Sequence, residues 1–245
     1  MVQGNPINEV KLLQLVHSFD LVNSAVPEEL KFAMANFAKA IILAEDNFYL
    51  GKETPKTKRI ENFANDSRVW NNWQTWRIAL RASAAGFLHD SAELKKTKIV
   101  IDEMFEKNLP QNSPGFDFEH RDALLYHVYN LQAWINIAWY TPYLLSASQL
   151  SRIEQAVSFI RPFYLGEQSH IEFSKSRVPW DKTRAESGAN EYKNIAWIPD
   201  HADTLLRIAR CLFPSVLEWT ARLDRAQNDF SPRIKFIAAL GCEAE

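Results

Sequence analysis

Apolar and polar positions recur at helical spacing along most of this chain. Residues Asn8 to Asp20 carry the first such pattern. A turn at Asn23–Ser24 follows, and Pro27 opens a second helix running to about Phe48. Proline suits a first helical position, and Glu28 and Glu29 sit in the first turn, where the helix dipole favours acids. The polar stretch Gly51 to Asp66 predicts a loop. A third helix is predicted from Trp70 to Leu88 and a fourth from Ser91 to Lys107, joined at His89–Asp90. Pro110, Pro114 and Gly115 make the next segment, Leu109 to Asp117, a loop. A long helix then runs to about Leu145, its signal beginning at Phe116. A joint at Ser146–Ser148 leads to a sixth helix ending near Ile160.

Periodicity fades between Phe163 and Pro199, a polar segment with scattered aromatics. Loops this long inside compact domains are uncommon and often functional. Gln168 to Val178 alternates enough to predict a short hairpin. Helices resume at Asp200 to Phe213, with Asp200 as N-cap, and at Pro214 to Ala226, with a last one from Pro232 to Leu240. Helix, short joint, helix is the repeating unit, so the predicted fold is all-α, built of antiparallel helical hairpins in a single domain over residues 1–245.

Composition agrees. The chain of 245 residues is 47% hydrophobic and 24% charged, ordinary for a globular protein able to build a core. Only 7 glycines and 11 prolines argue against a β-fold with many tight turns. A net charge of −2 gives no nucleic-acid footprint. The basic run Gly51 to Arg59 lacks an apolar face and reads as a solvated loop. No unbroken apolar window is long enough to span a membrane. The opening MVQGNPINEVKLL is not a signal peptide. Two cysteines, Cys211 and Cys242, read as reduced thiols. No metal-ligand spacing is present, and no metal or cofactor is expected.

Candidate chemistry concentrates in two segments. In the long helix, Asp122, Tyr126, Tyr129, Ala133, Asn136 and Tyr140 fall on one arc at ~100° per residue. Phenols, an amide and a carboxylate on one line suggest a cavity wall rather than a solvated surface. The second segment is VWNNWQTWR, Val69 to Arg77, with Trp70, Trp73 and Trp76 at spacing three and Asn71, Asn72 and Arg77 between them.

At these residues the chain resembles the alginate lyases, in particular those that cut mannuronate-rich chains. That family carries an NNHSYW-like helix start and, further along, an R-A-L-x-Y-H-N-Y helix. Here the first reads NNWQTW (Asn71 to Trp76) and the second DALLYHVY (Asp122 to Tyr129). The resemblance covers roughly Trp70 to Phe213. It implies an α/α toroid, here incomplete, since the family has more helices before the first motif. It also implies β-elimination on a uronic acid polymer, an acidic polysaccharide substrate, and a periplasmic or secreted location. Asn72 matches the family's carboxylate-neutralising Asn, and Tyr129 its catalytic Tyr. Two positions depart. The family's His is Trp73 here. Its Arg aligns with Asp122, with Arg121 one position earlier, so Arg121 can serve if the helix begins after it.

On that resemblance the catalytic set is Asn72, Arg121, His127 and Tyr129, with His127 or His120 assisting. Trp73, Trp76, Arg77, His120, Tyr126, Arg177 and Arg184 would bind substrate. Blander readings stand beside these. The Tyr and Trp side chains can be core packing, His127 a satisfied structural histidine, and Arg177 and Arg184 part of a solvated loop. Three function classes stay open: a uronate lyase, a uronate-binding module that does not cut, and a helical interaction scaffold. Oligomeric state is not legible.

Overall fold

The computed structural model describes residues 6–49, 70–220 and 223. Among them the fold is helical, and the only β-pairing is one isolated antiparallel bridge between Ile171 and Ala196. The hairpin expected at Gln168 to Val178 does not form. The expected loop Gly51 to Asp66 and the helix Pro232 to Leu240 lie outside the described residues.

Eleven α-helices follow in order among the described residues: α1 Pro6–Val22, α2 Glu28–Tyr49, α3 Asn72–Leu88, α4 Ser91–Asn108, α5 Phe116–Arg121, α6 Leu124–Tyr140, α7 Ala147–Ser158, α8 Arg161–Tyr164, α9 Pro179–Glu186, α10 Asp203–Leu212 and α11 Pro214–Leu217. They fall into two compact units. One comprises Met1–Lys107 with Asn136–Ser146, the other Asn108–Ile135 with Ala147–Glu245. Helix α6 therefore gives its first turns to the second unit and its last to the first.

In the first unit α3 packs against both α1 and α2. Its sequence explains why. Ala79, Ala82, Ser83, Ala84, Ala85 and Gly86 carry little side chain, so neighbours approach closely, and α3 is buried from Gln74 to Phe87. The polar residues of α3 find partners inside. Arg77 donates to Glu45 at 3.1 Å, and Arg81 reaches Thr97 at 3.1 Å, Glu93 at 3.2 Å and Asp46. Asn71 caps the helix by accepting from the Trp73 amide at 3.0 Å. His89, in the left-handed region at φ 51°, ends it. Asp90 then caps α4 through the amides of Ala92 and Glu93.

In the second unit, α10 turns Leu205, Leu206, Ile208 and Ala209 inward. A 3-10 turn, Pro199–Ala202, precedes it, so Ala202 rather than Asp200 holds the N-cap position. Helix α11 stops at Leu217, short of the predicted Ala226. Asn108 is fully buried, and its Oδ1 accepts from Asn130 at 2.8 Å and Trp134 at 2.7 Å. Cys211 stands in a disulfide, which corrects the reading of two reduced thiols. The other cysteine, Cys242, lies outside the described residues.

The long helix predicted from Phe116 is two helices. Asp122 adopts φ 51° between α5 and α6, and its amide donates to Phe118 at 2.8 Å. Asp122 therefore leaves the arc that a single helix would have given it.

Candidate functional site

The α5–α6 joint organises the loop that follows α8. The Asp122 carboxylate accepts from the Ser174 hydroxyl and the Lys175 amide, both at 2.7 Å. Its carbonyl accepts from the Phe173 amide at 2.8 Å and His170 Nε2 at 3.0 Å. Glu172, buried, accepts from the Leu125 amide at 2.9 Å and so caps α6 from forty-seven residues away. Burial pushes this carboxyl up to about 7, and the Asp122 charge adds to the shift, while the helix amides oppose it.

Arg121, the last residue of α5, forks onto Asp181 in α9, with Nε to Oδ2 at 3.0 Å and Nη2 to Oδ1. Ser176 donates to the same carboxylate at 2.7 Å. Burial works against the Arg121 charge, but the Asp181 bonds outweigh it and hold the guanidinium protonated. Its Cζ lies 4.1 Å from the centroid of the Tyr126 ring. Nη1 has no partner among the described residues.

Tyr126 shares a 2.7 Å hydrogen bond with Tyr192, a residue of the 3-10 turn Asn190–Tyr192. Arg184 donates to the same Tyr192 hydroxyl. Burial raises the Tyr126 phenol well above its ordinary value, and the bond to Tyr192 raises it further. Phe173 packs edge-on to Tyr126 at 5.7 Å and tilts over Tyr192 at 4.7 Å. The result is a nest of two guanidiniums and two phenols on an apolar floor of Ala123 and Phe173.

The structure thus brings together Arg121, Tyr126 and Arg184. His120 and Arg177 adjoin them through the backbone, because the Arg177 amide donates to the His120 carbonyl at 2.9 Å. The His120 ring stacks on Phe116 at 4.1 Å and is half-buried, while Arg177 is exposed. Tyr129, one turn along α6 from Tyr126, is half-buried. Tyr192, Asp181 and Glu172 were not legible as site residues. The mixed charge of their segment gave no period to place them.

Several expectations are corrected. His127 is fully buried, donates to the Ala156 carbonyl at 3.0 Å and packs edge-on against Phe118 and Phe159. Burial lowers it to about 4, so it is a neutral core histidine and not a catalytic one. Trp76 is 2% exposed and offers no face to a sugar. Arg77 is buried against Glu45 and cannot grip a carboxylate outside. Asn72, in the first turn of α3, is also fully buried, which removes it from contact with a polymer. Trp73 is 37% exposed and keeps its eligibility. On the arc of α6, Ala133 and Asn136 are buried, while Tyr126, Tyr129 and Tyr140 are half-buried, the Tyr140 hydroxyl donating to Asp20 at 2.7 Å.

Among the described residues no helix is long and apolar enough to cross a membrane, and no group of three metal-ligating side chains converges. No curated protein and no solved structure matches the chain. A model of the alginate lyase family matches residues 32–170, more than half of the sequence and the span that holds both NNWQTW and DALLYHVY. This chain therefore belongs to the alginate lyase family.

Proposed function

We propose that this chain cleaves a uronic-acid polysaccharide of the alginate type by β-elimination. The family match across the Tyr129 helix carries the reading, together with the half-open Tyr126–Tyr129 turn beside a protonated guanidinium. Elimination needs a charge to quench the uronate carboxylate, a base for the C5 proton and an acid for the departing glycosidic oxygen. As a phenolate Tyr129 takes the C5 proton, and as the resulting phenol it returns that proton to the departing glycosidic oxygen, so one side chain serves both transfers. Arg121 supplies the charge through Nη1 and so steadies the developing enolate. The start of α6 at Leu124, after Arg121, supports that role. His120 assists at the same end of α5. Arg177 and Arg184 hold neighbouring carboxylates. The α/α toroid and export belong with this proposal, and a disulfide at Cys211 suits an oxidising compartment.

The test is ultraviolet absorbance of the unsaturated product on polymannuronate, polyguluronate and glucuronan, with wild type and Tyr129→Phe. A rise on one substrate that vanishes in Tyr129→Phe is the expected result. Full activity in Tyr129→Phe would remove Tyr129 from the chemistry.

A second reading is a cleft that binds a uronate chain without cutting it. Trp73 standing where the family has His, and the burial of Asn72, favour it. Binding without product on all three polymers would establish it.

A further inference from the structure

Helix α9 lies beyond the family match and exposes a large aromatic side chain. Trp180, its second residue, is 59% exposed, although its neighbour Asp181 is 2% exposed and held by Arg121. The indole stands at the start of an otherwise polar helix, Pro179–Glu186. Arg184, one turn along the same face, places its guanidinium 5.2 Å from the Trp180 ring centroid. That guanidinium also bonds the Tyr192 hydroxyl and lies 5.1 Å from its ring, so it is held in place. Among the described residues it has no carboxylate partner. Arg177, exposed and three residues before Trp180, has none either. The backbone of Arg177 is fixed by the His120 carbonyl. An exposed indole with one guanidinium held against its ring, and a second exposed arginine three residues earlier in the chain, is an arrangement that can hold a uronate unit. Its C–H face lies on the indole and its carboxylate meets a guanidinium.

We infer that Trp180 is the stacking platform of a uronate subsite, with Arg184 and Arg177 reading the carboxylates. A neutral sugar would gain the stacking alone and bind more weakly. This inference rests on the proposed uronate substrate and adds a specificity-determining residue to it.

The experiment is calorimetric titration of the full chain with oligomannuronate, oligoguluronate, oligoglucuronate and a neutral cello-oligosaccharide. Wild type, Trp180→Ala, Trp180→Phe and Arg184→Gln are compared, with circular dichroism to confirm equal helix content. Trp180→Ala should weaken uronate binding about 5- to 10-fold, as truncation of an interface aromatic does. Trp180→Phe should stay close to wild type. Arg184→Gln should reduce the preference for uronate over the neutral sugar. Unchanged affinity in Trp180→Ala, with wild type binding a uronate, would overturn the subsite and leave the lyase reading intact. No binding of any uronate by wild type would overturn both.

Discussion

Arg121 and Asp181 lie sixty residues apart in sequence and meet through two parallel hydrogen bonds. The pair fastens α9 to the end of α5, and Ser176 completes the coordination of the carboxylate. Asp181 is almost wholly buried, so the pair cannot be halved cheaply. Asp181→Ala is expected to destabilise the fold by about 3–5 kcal/mol, because Arg121 keeps a buried, unmatched charge. Arg121→Met alone strands the Asp181 carboxylate, and the double variant Arg121→Met, Asp181→Ala should lose clearly less than the two single variants' losses added together. Urea unfolding of the four proteins measures this, and additive losses would mean that the pair is not coupled.

The tryptophans of the NNWQTW segment separate by burial alone. Trp76→Ala should cost about 3–5 kcal/mol, the range for emptying an aromatic site in a core. Trp73→Ala, at a position 37% exposed, should stay within about 1 kcal/mol of wild type. If Trp73 is a sugar contact, its loss should raise KM while the melting temperature barely moves. The reverse pattern, a stable Trp76→Ala with altered KM, would contradict the burial of Trp76 in the core.

The helices were largely legible because apolar positions repeat near 3.6 residues in most of them. The break at Asp122 was not, since a single left-handed residue leaves the apolar period on either side intact. Its signal is weak: Asp tolerates that conformation better than most residues, but is common in helices too. The faces of α3 also misled. Arg77 reads as a surface cation until Glu45 is known to meet it, and that meeting depends on a contact thirty-two residues away. Tyr192 and Glu172 joined the site for a similar reason. Their partners, Tyr126 and Leu125, lie on an earlier helix, and no local pattern links them.

Gly86 tests the close approach on which α3 depends. A Cβ built there would lie 2.7 Å from Thr141 Cγ2, and Thr141 is buried. Gly86→Ala should therefore destabilise by about 1–3 kcal/mol through overpacking, despite alanine's better helix propensity. Thr141→Ser removes the offending methyl and keeps the hydroxyl that donates to the Ile137 carbonyl. The double variant should recover most of the loss. Failure to recover would place the strain elsewhere, at Tyr140 or Tyr143, the next nearest groups.

The buried titrating groups act on stability in opposite directions. Burial holds His17 down at about 3 and His127 at about 4, both below the unfolded value of 6.5. The unfolded chain then binds more protons, so their contribution is intact above pH 6.5 and is lost as pH falls toward 4 and 3. Glu172 does the reverse. Its folded value of about 7 exceeds 4.5, so its contribution is intact below pH 4.5 and is lost as pH rises to 7. Each group changes stability by at most about 1.4 kcal/mol per pH unit inside its window. Glu172→Gln keeps an acceptor for the Leu125 amide and removes the buried charge. Relative to wild type it should gain stability progressively between pH 4.5 and 7 and hold the gain above. Urea midpoints of the two proteins from pH 4 to 8 measure the difference. Parallel curves would show that Glu172 titrates at its ordinary value, and with it that the capping carboxylate is more hydrated than its burial in the α6 cap implies.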